Sequence, residues 1–494
     1  MPHVVTQSCC ADASCVLACP VNCIHPAPGE PGFAEAEMVF IDPGSCVDCG
    51  ACVTACPVGA IKPHTKLTAA EEPFLALNGE YFVAEPHADR TPLALVPPQR
   101  RLTSRAPVRV AIVGAGPAGL YAADELLKHP EVSVDVFDRL PTPHGLARHG
   151  VAPDHQTTRQ VADLFTAIAD QPGFTYRLGV EVGRDISFAD LSERYHGVIV
   201  AVGASADKRL GIEGEDLPGS TSATDVVGWY NGHPDHRIAP DLDCERVVVV
   251  GNGNVALDVA RILTTDPDML AGTDIDLDAL AALDSSRVRE VVVLGRRGPA
   301  QAAFTTPELI GLAALDDVDV LVEDGGVAIE STTTATKVLA ELASRRPRPG
   351  RRRIVLRFCA QPERILGPDR VTGLEVRRTR LVTVDGAVTA EPTGETEVIE
   401  AGLVLRSVGY RGRPLPDLPF DEARGIVPNQ SGRVRPGLYV TGWIKRGPTG
   451  FIGTNKTCAA ETVAQLLDDL DAGEIRSVGA FATPPRRKRA FVRR

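Results

Sequence analysis

The sequence predicts an α+β cysteine-rich module followed by α/β domains that bind two dinucleotides, and three observations carry that expectation. Nine of the 12 cysteines fall before residue 57. Two glycine-rich turns, at 114–119 and 251–256, each join an apolar strand to an amphipathic helix. The chain of 494 residues has room for roughly three domains of ordinary size.

Composition narrows the function class. A formal net charge of −12 argues against general nucleic-acid binding, which needs a basic face. The start, "MPHVVTQSCC", lacks a secretory signal pattern, and no run of about 18 apolar residues offers a membrane span. The expectation is a soluble cytoplasmic protein. In that setting a dense set of cysteines reads as metal ligands rather than as a disulfide scaffold. Charge is uneven, however. Residues 1–61 hold Asp12, Glu30, Glu35, Glu37, Asp42 and Asp48 but no lysine or arginine, whereas the tail "RRKRAFVRR" holds six basic residues and no acid.

The cysteine module reads first. "CVDCGACVTACP" is C-x2-C-x2-C-x3-C-P, built from Cys46, Cys49, Cys52 and Cys56. Thiolates at this spacing wrap an iron–sulfide cubane, three on one cluster and the fourth on a second. The earlier stretch "CCADASCVLACP" sets Cys9, Cys15 and Cys19 at the same offsets as Cys46, Cys52 and Cys56, with Asp12 where Cys49 has its counterpart. Two roles are open to Asp12. A carboxylate is a harder, weaker partner for iron than thiolate, so either the fourth iron is lost and a [3Fe–4S] cluster remains, or Asp12 ligates it in a [4Fe–4S] cluster. Cys10 and Cys23 read as bystander thiols. After Ile61, "EEPFLALNGEYF" is long enough for one helix against the module, and a proline-rich, polar stretch then links onward to residue 107.

From Val108 the pattern changes. "VRVAIVGAGPAGLYAADELL" is strand, turn and helix, with Gly114, Gly116 and Gly119 in the turn. Asp138 ends the next strand 19 residues after Gly119, where a carboxylate can accept from a ribose hydroxyl. The second unit carries Gly251, Asn252, Gly253, Asn254 and Val255, and after its following strand come Arg296 and Arg297. Where a carboxylate would select NAD, two guanidiniums suit the 2′-phosphate of NADP. An acidic segment, 266–284, lengthens the interval. Strand-like segments fill 354–409, and the last unit is a strand, the loop "WIKRGPTGFIGTN" and a helix. That loop aims backbone N–H groups and a helix dipole at its contents.

The first 62 residues resemble bacterial two-cluster ferredoxins. That resemblance implies crossed ligation: Cys46, Cys49, Cys52 and Cys19 on one [4Fe–4S] cluster, and Cys9, Cys15 and Cys56 on the other. "RLPTPHGLARHGVAPDHQTTR", "GRRGPAQAAFTTPEL" and "TGWIKRGPTGFIGTNK" resemble the adrenodoxin-reductase-type ferredoxin–NADP reductases over about residues 108–470. The whole chain is similar to the fused ferredoxin/ferredoxin–NADP reductases of actinobacteria. The fold this implies is an α+β ferredoxin module followed by α/β Rossmann-like FAD and NADP domains. The implied boundaries are 1–62 for the ferredoxin, 63–107 for extension and linker, 108–205 with 410–485 for the FAD domain, 206–409 for the NADP domain, and 486–494 for a basic tail.

The resemblance also implies that Ala115, Asp138, Leu146, Val182 and Trp443 contact FAD, and that Gly450, Phe451 and Ile452 lie by its ring. It places Asn252 to Val255, Arg296, Arg297 and Glu308 at NADP. His155 matches a histidine near the flavin; tuning of the flavin and plain packing are both open to it. One departure stands out: where related reductases carry an acid shortly after Glu308, this sequence has Gly311 and apolar residues. The implied activity is reduction of a one-electron acceptor protein, such as a ferredoxin or cytochrome, by NADPH. An alternative is an electron-transfer subunit of a glutamate-synthase-like complex. A disulfide reductase of the same fold is a poorer reading, because Cys244, Cys359 and Cys458 are isolated in sequence.

Overall fold

A computed structural model describes residues 2–87 and 99–476; the basic tail 486–494 and residues 88–98 of the linker lie outside the described residues. The cysteine module is a doubled structure, as its repeat requires. Each half carries one short helix, Ser14–Ala18 and Ala51–Ala55, preceded by a left-handed residue, Ala13 or Gly50. Strand His3–Val5 pairs antiparallel with Ile61–Pro63, and Ile24–His25 with Phe40–Ile41. These short strands leave backbone groups that the helix Pro73–Ala84 satisfies. Its Asn78 accepts from the amides of Val5 and Ile41 and donates to the Val5 carbonyl. A buried amide with several partners fixes one geometry, because each unpaired group would cost about 1–3 kcal/mol.

Two six-stranded sheets follow. The first is ordered Arg433–Arg435, Leu438–Val440, Gly197–Val200, Val108–Val113, Val132–Asp138, Phe174–Leu178. Its inner strands are parallel and mostly buried, with Arg109, Ser133 and Asp135 the polar interruptions in Val108–Val113 and Val132–Asp138. The second sheet runs Ser220–Ser222, Leu403–Arg406, Arg246–Val250, Glu290–Leu294, Arg352–Arg357, Val318–Glu323, and all of its pairings are parallel. A three-stranded antiparallel sheet, Ala360–Leu366, Gly373–Val384 and Ala387–Glu400, packs onto this unit through Ile365, Leu374 and Ile399. The acidic segment 266–284 contributes two short helices, Pro267–Leu270 and Leu277–Asp284.

The second sheet is an insertion in the first. The chain leaves the first sheet after Val200 and returns to it at Arg433, and the two crossing passes pair with each other, Ala206–Asp207 against Tyr410–Arg411. Among the described residues no helix is long and apolar enough to cross a membrane.

Candidate functional site

The repeat brings the cysteines together in two sets. One pocket is lined by Cys19, Cys23, Cys46, Cys49 and Cys52 with His3. The other is lined by Cys9, Cys10, Asp12, Cys15 and Cys56. Each half of the module therefore lends one thiol to the other half's cavity. Backbone amides already point at sulfur: Ala11 N lies 3.4 Å from Cys9 Sγ, and Ala60 N 3.3 Å from Cys56 Sγ. Burial pushes the thiols of Cys9 and Cys52 up to about 11, so in these dry pockets they ionise against a compensating cation. The donor chemistry suits iron–sulfur clusters. Cys23 is less remote from this chemistry than a bystander: its Sγ is 3.4 Å from that of Cys19.

Asp12 is buried, and its carboxylate is already engaged. Oδ1 accepts the Ser14 amide at 3.0 Å, and Oδ2 accepts from the Lys456 ammonium at 3.0 Å. Lys456 belongs to the C-terminal helix Thr454–Asp471, so this pair spans two modules.

The rest of the junction is as close. Gly453 N donates to the Cys10 carbonyl at 2.8 Å, and a Cβ on Gly453 would lie 2.1 Å from the Ala11 carbonyl group. The loop holding Gly450, Phe451 and Ile452 thus abuts the cavity that contains Asp12. Ile452 also packs in the same apolar cluster as Cys9, Cys10 and Cys56. Besides the Lys456 contact, acids of the first module meet helix N-termini. Glu37 accepts the Thr306 amide at 2.9 Å, at the start of helix Thr306–Ala313, and Glu80 accepts the Thr334 amide at 3.0 Å, at the start of helix Thr334–Ser344. Carboxylates at N-termini complement the helix dipole.

The two glycine-rich turns are tight at three of their glycines. Gly114 has φ +113°, and a Cβ there would lie 2.4 Å from the Ala201 carbonyl oxygen; Gly119 has no room for a Cβ beside the Gly114 carbonyl. Gly116 precedes helix Pro117–Leu127. The second turn repeats this: Gly251 has φ +111° and lies against the Ser407 carbonyl, and Gly253 precedes helix Asn254–Thr264. These cradles fit pyrophosphate over a helix N-terminus. Asp138 is partly committed elsewhere, since its two oxygens accept the amides of Ala115 and Leu140 at 2.8 Å each. Gly442 lies against Ala118, which brings Trp443 and the C-terminal loop to the first turn. Trp443 Nε1 donates to the Thr449 carbonyl and its ring lies 5.4 Å from that of Tyr410. Leu146 opens a short helix beside this turn, with Gly145 close against Gly116, and Val182 sits in a separate apolar cluster with Phe137.

In the second unit, Asn254 pairs with Thr305 through both its amide groups. Asn252 lies against Gly295, and Val255 packs on the apolar core. Arg296 and Arg297 are exposed, and among the described residues neither has a carboxylate partner.

His155 and Glu308 belong to one polar knot that sequence reasoning did not assemble. His155 Nε2 is 2.8 Å from Arg261 Nη2 and 3.7 Å from Glu308 Oε2. Arg261 is buried, and although burial works against its charge, Asp258 and Asp154 hold it well above its ordinary pKa. Burial, and then the neighbouring Asp258, raise the Glu308 carboxyl. Gln7 of the first module donates to Glu308 at 3.1 Å, and a Cβ on Gly311 would strike the Gln7 amide. The missing acid near Gly311 is thereby explained: that space is taken by a side chain from the N-terminal module.

Known proteins are similar to this chain. Residues 108–268 match the pyridine nucleotide-disulphide oxidoreductase family, and residues 39–62 match the 4Fe-4S binding domain. Over an alignment of 511 residues the chain is 51% identical to the probable ferredoxin/ferredoxin–NADP reductase of Mycobacterium tuberculosis, covering 98% of this chain and 86% of that protein. The human mitochondrial NADPH:adrenodoxin oxidoreductase is 45% identical over 396 residues, 75% of this chain and 80% of its own. The solved structure of Mycobacterium tuberculosis FprA in complex with NADPH is 48% identical with a TM-score of 0.72, covering 76% of this chain and 87% of that one.

Proposed function

The chain belongs to the ferredoxin/ferredoxin–NADP reductase family, and from that premise we propose how its residues divide the work. It is an oxidoreductase that passes electrons between NADPH, FAD and iron–sulfur clusters to a one-electron acceptor. FAD and the clusters, when bound, supply the conversion between hydride transfer and single-electron transfer. Nothing among the relatives favours a glutamate-synthase-like subunit.

Residues 108–205 and 410–476 form the FAD unit, and 206–409 the NADP unit; residues 477–485, expected to end the FAD unit, lie outside the described residues. Gly114, Gly116 and Gly119 bring backbone to the FAD pyrophosphate, and Gly251, Asn252 and Gly253 do so for NADP, at the start of the helix that Asn254 and Val255 open. Arg296 and Arg297, unpaired among the described residues, grip the 2′-phosphate. Asp138 holds the first turn through Ala115 and retains lone pairs for a ribose hydroxyl. Leu146, Val182 and Trp443 line the FAD side, and the amides near Gly450, Phe451 and Ile452 face the ring. His155 positions Glu308 and Arg261, the latter on the helix that follows the second turn.

In the ferredoxin module, Cys19, Cys46, Cys49 and Cys52 hold a [4Fe–4S] cluster, and Cys9, Cys15 and Cys56 hold a [3Fe–4S] cluster. The Lys456 ammonium supports the second assignment, because it already occupies the Asp12 carboxylate that a fourth iron would need.

The observation that carries the division of labour is the bond from Gly453 to Cys10, which seats the ferredoxin module on the flavin loop. Residues 108–494 alone are expected to keep FAD and to reduce ferricyanide near the full rate, while cytochrome c reduction falls sharply. Undiminished cytochrome c reduction by the truncated protein would exclude the clusters as the route.

A further inference from the structure

Far from the flavin loop, two histidines and a glutamate converge on one point. His25 is buried in the strand Ile24–His25, Glu30 lies five residues on, and His87 follows the helix Pro73–Ala84 that closes the module. Their ligand atoms all lie within 4.8 Å of one another.

The hydrogen bonds fix which nitrogens face inward. His25 Nε2 is 2.9 Å from the Asn22 carbonyl, and His87 Nδ1 is 2.7 Å from the Glu85 carbonyl. A carbonyl only accepts, so each of those nitrogens carries the proton. In the neutral rings this leaves lone pairs on His25 Nδ1 and His87 Nε2, both turned toward Glu30. His25 Nδ1 lies 2.9 Å from Glu30 Oε2, and His87 Nε2 lies 3.7 Å from the same oxygen. A carboxylate facing these two nitrogens needs positive charge between them, which either a second proton on the imidazole, as the 2.9 and 3.0 Å contacts of His25 Nδ1 allow, or a bound cation supplies. In the other polar knot Arg261 supplies that charge. Here, among the described residues, no lysine or arginine pairs with Glu30, and its neighbours are the two imidazoles and the Ala27 amide.

We propose that His25, Glu30 and His87 form a binding site for a divalent transition-metal cation, with zinc the best match. Two imidazoles and one carboxylate are borderline donors of the type zinc takes, and each ring's second N–H bonded to a backbone carbonyl is the arrangement that orients metal-ligating histidine. Tetrahedral bonds of about 2.0–2.1 Å separate ligand atoms by about 3.3 Å. The observed 2.9 Å and 3.7 Å bracket that separation. Glu30 and His87 are part-exposed, which leaves an entry path and room for a water as the fourth ligand. The site would tie the end of the helix Pro73–Ala84 to the loop after Cys23, and it uses none of the cysteines.

The test uses the full chain, purified with flavin and clusters, desalted, and exposed to zinc sulfate. Elemental analysis should give about one zinc per chain, and X-ray absorption at the zinc edge should show nitrogen and oxygen neighbours at about 2.0 Å with no sulfur. His87→Ala and Glu30→Gln should each bring zinc to background while iron and flavin per chain stay at the wild-type level. A wild-type protein that takes up no zinc, a zinc shell containing sulfur, or full zinc retention in both variants would overturn the proposal. Should either variant lose iron as well, the comparison rests on wild-type protein before and after chelation. Removal of zinc at constant iron should then lower the unfolding temperature, and an unchanged temperature after the zinc has been released would also overturn it.

Discussion

Lys456 and Asp12 are 444 residues apart in sequence and 3.0 Å apart in the folded chain. The Asp12 side chain is 2% exposed and that of Lys456 39%, so the acid depends on this ammonium more than the ammonium depends on it. Replacing Lys456 with methionine should cost about 1–3 kcal/mol, because a buried charge loses its main partner. The freed carboxylate should then turn to iron. Air-isolated wild type is expected to show an oxidised [3Fe–4S] resonance, Lys456→Met a weaker one, and Asp12→Cys none, with iron rising toward eight per chain. Equal resonances in all three proteins would contradict the three-iron assignment.

Arg296 and Arg297 give a second expectation. Neutral replacement of both should raise the KM for NADPH far more than that for NADH, with loss of about 2–4 kcal/mol of discrimination for charge-assisted contacts. Steady-state kinetics with the two nucleotides decides it. An unchanged preference would return the pair to the solvated surface.

Gly453 tests the seam between the modules. Its φ of −68° suits any residue, so what a substitution meets is the Ala11–Asp12 backbone. Gly453→Val should cost about 1–3 kcal/mol of overpacking or unseat the ferredoxin module. Cytochrome c reduction is expected to fall while ferricyanide reduction persists. Parallel loss of both activities would mean the flavin site itself had failed.

His233 makes a prediction about pH. Burial, then the nearby rings of His149 and His236, push it down to about 4; Asp235 opposes the shift and Arg139 adds to it. A histidine depressed in the fold takes its proton more readily when unfolded. Its contribution is intact above about pH 6.5 and is lost as pH falls from there toward 4. After discounting for partial exposure, the loss is about 1–2 kcal/mol. The difference in unfolding temperature between pH 7.5 and 5 should therefore be smaller in His233→Gln than in wild type, and equal differences would refute the assignment.

Local chemistry was legible in the sequence, and distant pairing was not. The cysteine repeat is visible because Cys9, Asp12, Cys15 and Cys19 sit at one fixed offset from Cys46, Cys49, Cys52 and Cys56. The two turns are visible because only glycine tolerates their approach to Ala201 and Ser407. By contrast, no periodicity connects Gln7 with Glu308, or Glu37 with the amide of Thr306. Helix N-termini carry positive potential without lysine or arginine, so a count of charges does not show where Glu37 meets the Thr306 amide. Asp138 shows the same limit at short range: its place was legible, but its commitment to two backbone amides was not.

The bond between Gly453 and Cys10 also has a kinetic consequence. Because the fold itself holds these loops together, passage between them is unimolecular, indifferent to dilution and nearly so to salt. At the other cysteine set Cys49 and Val47 meet solvent. Reaction order in an external acceptor, and the dependence of rate on ionic strength, would therefore report the collision with that acceptor and nothing of the passage between the joined loops.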